Sequence, residues 1–308
     1  GFLMGFSLEA ALSACRKYTA CGKVASYIPE LQKSDPRHLG ICLLSCSGEF
    51  QQEGDWNVPF TIQSVVKPIL LLQALLDNGI DAVRAHVGVE ATGKPFDAIN
   101  YTDQVLDSQH LNPMVNMGAI AVCSLIHGRT YQKRFQRLLD LTRLLADGSP
   151  VQVNEAVYLS EKAHGTKNRA LAYLLKTYGI LQDDVEEVLD CYFRACAIAT
   201  DCVGLARIGA VLANQGRRPG TQEVLIPVEY TRFVNAILMT CGMYDGSGDF
   251  AVRVGVPAKS GVGGGIMAVA PSRMGIGIFS PALDEKGNSL AGIKLLEQLS
   301  TAMGLSIF

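Results

Sequence analysis

Gln63-Ser64-Val65-Val66-Lys67 and Lys259-Ser260-Gly261-Val262-Gly263-Gly264-Gly265 decide how this chain reads. In the first stretch, serine and lysine stand three residues apart. On a helix, such residues share a face, so Lys67 can reach Ser64. A serine hydroxyl is a weak nucleophile until a base takes its proton. A lysine removed from water gives up its own proton more readily and can be that base. The second stretch is a Lys-Ser-Gly step running into glycines, which let backbone approach a ligand closely. Singly, each piece has an ordinary reading. Ser64 reads as a helix cap, Lys67 as a solvated charge, and the glycine tract as a β-turn. The pairing of the two stretches is what carries information.

Working outward, Ser64 to Leu76 reads as a buried helix, with Ile69, Leu70, Leu72, Leu75 and Leu76. Pro68 is tolerated only in a first turn, which places Ser64 at the helix N-terminus. Free N–H groups and the positive end of the helix dipole then surround its hydroxyl. Val65 and Val66 are β-branched and are expected to be buried. Upstream, Leu39 to Cys46 is an apolar run that ends at the Ser47-Gly48 turn, and Glu49 to Glu53 returns as a second strand. Downstream, Ala258 to Ser260, Gly265 to Ala270 and Met274 to Ser280 read as strands, the last two joined by Pro271-Ser272-Arg273.

Helices are expected over 7–20, 116–127, 131–145, 154–161, 168–178, 184–196, 200–214, 227–240 and 288–303. Strands near both ends with helices between them imply a two-lobed α+β fold. Its antiparallel sheet is built from the N- and C-terminal segments and flanked by helices. The expected division is one domain over 1–308, with an α/β lobe of about 1–63 and 220–308 and a mostly helical lobe of about 64–219.

Composition narrows the function. Hydrophobic residues make up 48% of the 308 and charged residues 18%, enough for a substantial core. Twenty-seven Lys and Arg against 29 Asp and Glu leave a net charge of -2, which argues against a nucleic-acid surface. Apolar runs stop short of membrane-spanning length, and no signal peptide opens the chain. The nine cysteines contain no Cys-x-x-Cys and the five histidines no His-Glu-x-x-His, so neither metal nor cofactor is expected. Reduced thiols in a cytoplasmic protein account for the cysteines.

The Ser-x-x-K and Lys-Ser-Gly pairing occurs in serine β-lactamases and penicillin-binding proteins. Seven blocks together are more specific. They are Tyr27-Ile28-Pro29, Gln63-Ser64-Val65-Val66-Lys67, Asn112-Pro113-Met114-Val115-Asn116-Met117-Gly118-Ala119-Ile120, Ser160-Glu161, Asn168-Arg169-Ala170, Tyr244-Asp245-Gly246-Ser247-Gly248-Asp249 and the glycine strand at 259–265. In residue and order they resemble the serine-dependent glutaminases, which share the β-lactamase/penicillin-binding fold. The resemblance runs from about Tyr27 to about Asn288.

It implies hydrolysis of L-glutamine to L-glutamate and ammonia, with Ser64 as nucleophile and Lys67 as its base. It also implies an oxyanion hole from the main-chain N–H groups of Ser64 and Val262, a role that needs no particular side chain. Tyr27, Gln63, Asn116, Glu161, Asn168 and Tyr192 match positions that hold the amino acid. Glu161 suits the α-ammonium as a fixed opposite charge. Tyr244 matches a tyrosine near the serine and is a candidate proton relay. Relatives assemble as homodimers or homotetramers, so the same is expected here.

Two other readings compete. A penicillin-recognising hydrolase or esterase requires a serine two residues before the asparagine, where this chain has Met114. An amino-acid-binding protein on the same scaffold needs neither Ser64 nor Lys67.

Overall fold

The computed structural model describes residues 5–93, 96–98 and 111–308. The rest of the expected helical stretch, 94–95 and 99–110, lies outside the described residues. Five antiparallel strands form the main sheet, in the order Phe50–Gly54, Gly40–Ser45, Met274–Phe279, Gly265–Ala270 and Ala258–Ser260. The two chain ends thus share one sheet, as the sequence suggests. Cys42 stands opposite Gly277, and Gly277 opposite Met267.

Gly40–Ser45 is buried throughout, because both sheet faces are covered. Ile41 and Leu43 pack on one side with Ile276, Ile278, Leu295 and Leu299, under the first and last helices, Leu8–Cys15 and Leu290–Met303. Cys42 and Leu44 face the other side and join the larger core. Burial on both faces explains a strand that reads as an apolar run rather than an alternation. Each fully buried Leu or Ile stabilises the fold by roughly 1.5–3 kcal/mol.

Helix Cys202–Ala213 departs from the expected division. It lies in sequence within the helical middle but packs on the sheet, against Met274–Phe279, Gly40–Ser45 and Gly265–Ala270. Glycine on strand Met274–Phe279 permits this. A Cβ at Gly275 would stand 2.1 Å from Ala210 N, and one at Gly277 2.1 Å from Cys202 O. The sheet therefore presents bare backbone to this helix.

Helix Val66–Asn78 runs through the larger core, with every residue from Val66 to Leu75 buried. Lys67 and Pro68 stand in its first turn, where proline is tolerated. Val65 and Val66 are both fully buried. Helix Leu8–Cys15 is shorter than expected and gives way to a tighter 3₁₀ turn at Arg16–Ala20.

A small sheet that the sequence did not suggest positions the site. Phe60–Thr61 pairs with Ile198–Thr200, which pairs with Gln152–Val153. These two- and three-residue strands are too short to show an alternation. They join the approach to Ser64, the end of helix Val185–Cys196 and the start of helix Glu155–Ala163. No described helix is long and apolar enough to cross a membrane. All nine cysteines are free, seven of them buried.

Candidate active site

Ser64 sits in a single 3₁₀ turn, Gln63–Val65, that leads directly into the buried helix. The preceding residue, Gln63, has φ +50°. Such a left-handed conformation is strained in a non-glycine residue and concentrates at functional sites. The glycine tract packs against this turn. A Cβ at Gly261 would lie 2.6 Å from Ile62 O and 3.4 Å from Ser64 N, so only glycine lets the two backbones approach. Among the described residues, neither the Ser64 N–H nor the Val262 N–H has a protein acceptor. Two unspent donors therefore stand at the mouth of the turn.

Lys67 is fully buried. Burial pushes its ammonium down to about 8, against the opposing pull of Asp97. Its Nζ donates to Asn116 Oδ1 at 2.7 Å and to the Met114 carbonyl at 3.3 Å. The Phe96 ring lies 5.7 Å away. Ser64 shares the helix turn with Lys67, and its hydroxyl lies near that of Tyr244. The Tyr244 hydroxyl donates to the Ser260 carbonyl at 3.2 Å, which leaves its oxygen free to accept from Ser64. Burial pushes Tyr244 well up, so it holds its proton.

Beyond Ser64 opens a cavity of about 280 Å³. Tyr27, Gln63, Ser64, Asn116, Glu161, Asn168, Tyr192 and Val262 all line it. Lys67 and Tyr244 do not line it; Lys67 is bonded to Asn116, which does, and Tyr244 lies near Ser64. A larger cavity of about 660 Å³ near Cys21 and Leu283 contains none of these residues. Eight of the ten expected residues thus line one space, drawn from seven separate segments of the chain.

Asn116, at the start of helix Asn116–Ser124, is the hub. Its Oδ1 accepts from Lys67 and, at 3.2 Å, from the Tyr192 hydroxyl. Its Nδ2 donates to Asn168 Oδ1 at 3.1 Å. Glu161 also lines the cavity and is 5% exposed. Burial pushes its carboxyl up to about 7, although hydrogen bonds from Tyr27 and Gln63 and the nearby His164 favour the charged form. The Tyr27 hydroxyl donates to Glu161 Oε1 at 2.5 Å, while its ring is half exposed. A buried carboxylate and a cluster of amides and hydroxyls in one small space suit a zwitterionic amino-acid end.

Three further residues escaped sequence reasoning, and a fourth, Lys259, was read only as part of the Lys-Ser-Gly motif. Cys196 lines the cavity one helical turn after Tyr192, a spacing that could have flagged it. Burial pushes its thiol up to about 12, so it remains a protonated, poor nucleophile. Asp97 and Lys167 pair across the rim at 3.1 Å. Lys259 is fully buried, with Nζ 4.1 Å from the Tyr244 ring centroid and 2.7 Å from the Ser260 carbonyl. Burial, then repulsion from Lys67, pushes its ammonium well down.

Known proteins bear on this arrangement. The glutaminase family model matches residues 22–308. A glutaminase from Clostridium tetani is 49% identical over 306 residues, covering 99% of this chain and 100% of its own. Glutaminase 2 of Clostridium perfringens is 48% identical over 98% of this chain and 99% of its own. Among solved structures, a probable glutaminase from Bacillus subtilis complexed with 6-diazo-5-oxo-L-norleucine superposes with a TM-score of 0.89. It is 40% identical, and the match covers 98% of this chain and 95% of that one. These matches span nearly the whole chain, and the chain belongs to the glutaminase family of enzymes.

Proposed function

We propose that the enzyme hydrolyses L-glutamine to L-glutamate and ammonia through a γ-glutamyl ester on Ser64. The observation that carries this reading is the position of Ser64. It stands one helical turn before a buried, readily deprotonated lysine and lines a cavity that also holds a buried carboxylate. Glu161 takes the α-ammonium of glutamine. Tyr27, Asn116, Asn168 and Tyr192 orient the α-carboxylate, and Gln63 holds Tyr27 and Glu161 in place. The side-chain amide then points at Ser64.

Ser64 Oγ attacks the amide carbon as its proton passes to the Tyr244 oxygen, while the Tyr244 hydroxyl turns from the Ser260 carbonyl and gives its own proton to neutral Lys67. The N–H groups of Ser64 and Val262 receive the developing oxyanion, which preorganised donors stabilise more than the ground-state carbonyl. The C–N bond breaks, and the leaving nitrogen takes the proton from Lys67 and departs as ammonia. Water then attacks the ester, gives its proton to Lys67 and releases glutamate. Lys67 returns that proton to Ser64.

Ammonia release tests the substrate, with asparagine as control. Glutamine is expected to turn over. Asparagine is expected to react more slowly, because its amide is one methylene nearer the α-carbon and stops short of Ser64. Folded protein that releases no ammonia from glutamine would refute the proposal.

A further inference from the structure

Tyr244 is held in an unfavourable conformation by groups that the chemistry above does not use. Its φ is +57°, the left-handed region that a bulky side chain rarely adopts. Three hydrogen bonds close a ring around it. The Tyr244 hydroxyl donates to the Ser260 carbonyl at 3.2 Å. The Ser260 hydroxyl donates to Asn288 Oδ1 at 2.5 Å. Asn288 Nδ2 donates to the Met243 carbonyl at 3.1 Å, and the Met243–Tyr244 peptide completes the circuit. Ser247 braces the peptides on either side of that one: its Oγ accepts from Met243 N at 3.0 Å and donates to the Tyr244 carbonyl at 2.8 Å.

Ser260, Asn288 and Ser247 are all buried, so water does not replace these bonds when one is lost. Asn288 is itself anchored. Its N–H donates to Asp284 Oδ1 at 3.0 Å, and its carbonyl accepts from Asp284 N at 2.7 Å. The turn between them lies against the site: a Cβ at Gly287 would stand 3.7 Å from Val262 Cγ1 and 3.8 Å from Tyr244 Cε2.

We propose that Asn288 is a positioning residue that holds the Tyr244 hydroxyl against Ser64. It ties the strand bearing the Tyr244 acceptor to the peptide bearing Tyr244 itself. A side-chain amide suits this task because one end accepts a hydroxyl proton while the other donates to a carbonyl. Aspartate lacks the donor, and alanine lacks both. The inference rests on the reading of Tyr244 as the proton relay.

The test is a double-mutant cycle on kcat and KM for glutamine, with wild type, Asn288→Ala, Tyr244→Phe and the double variant. Misplacing a reacting group by about 1 Å costs up to ~100-fold, so Asn288→Ala is expected to lower kcat by about 10- to 100-fold. KM should stay within about threefold, because Glu161 and Asn116 are untouched. In the Tyr244→Phe background, the same change should cost less than about threefold, since no hydroxyl remains to be positioned. Ser260→Ala removes the donor to Asn288 but keeps the carbonyl that Tyr244 uses. It should give the same pattern with a smaller loss, and it keeps the test readable if Asn288→Ala does not fold. Equal costs in both backgrounds, or lowered thermal stability with unchanged kcat, would overturn the role of Asn288 and leave the relay standing. A Tyr244→Phe enzyme with wild-type kcat would overturn the relay and, with it, the positioning role.

Discussion

Raising the pH from 6 to 9 should switch on two buried groups in turn, and Glu161→Gln should remove one of them from the profile. Burial lowers Lys67 to about 8 and raises Glu161 to about 7. Each shift favours the neutral form. Lysine is active as a base when neutral, whereas Glu161 binds an ammonium when charged. Both active forms are therefore gained as pH rises. In the complex with substrate, Glu161 is paired and ionised, so kcat reports Lys67 alone. The neutral fraction of Lys67 is about one-tenth at pH 7 and about nine-tenths at pH 9, so kcat should rise roughly tenfold. The free enzyme requires both groups, so kcat/KM should approach a logarithmic slope of about two below pH 7. Between pH 6 and pH 8, neutral Lys67 increases about 50-fold and ionised Glu161 about tenfold, a combined rise of roughly 500-fold. In Glu161→Gln, the slope should fall to about one and the rise to roughly 50-fold. The assay is the initial rate of ammonia release at constant ionic strength. A slope unchanged by Glu161→Gln would refute Glu161 as the ammonium partner. A wild-type kcat that is flat from pH 7 to 9 would refute Lys67 as the base.

A glutamine-like diazoketone should attach to Ser64, read by peptide mass mapping; attachment to Cys196 instead would sink the serine mechanism. Ser64→Ala and Lys67→Ala should each lower kcat on the order of 10³-fold or more, with the double variant little worse, because residues acting as a unit are non-additive. A Lys67→Ala enzyme with nearly normal kcat contradicts this. Gly275→Ala forces a Cβ to within 2.1 Å of Ala210 N and should destabilise the protein by about 1–3 kcal/mol. That should appear as a lower urea midpoint at constant m-value, and an unchanged midpoint would show that the helix yields freely.

By itself, the sequence determined the local structure. The Ser64 and Lys67 spacing, Pro68 in the first turn and the apolar run to Leu75 sufficed to place a buried helix with serine at its head. Turn residues at Ser47-Gly48 and Pro271-Ser272-Arg273 marked the hairpins, and these signals are legible because they act over a few residues of backbone. The resemblance named Tyr27, Asn116, Glu161 and Tyr192 but not how they meet. Tyr27 and Glu161 are 134 positions apart and share a hydrogen bond, and Tyr192 and Asn116 are 76 apart. No periodicity encodes such pairings, since they follow from how helices pack and which short strands join them. Only the tertiary structure turned Lys67 toward Asn116, placed Cys196 in the cavity and laid helix Cys202–Ala213 on the sheet. It also decided the ionisation of the site, because the shifts at Lys67 and Glu161 come first from burial. Burial depends on everything packed around a residue and is not written in its neighbours along the chain.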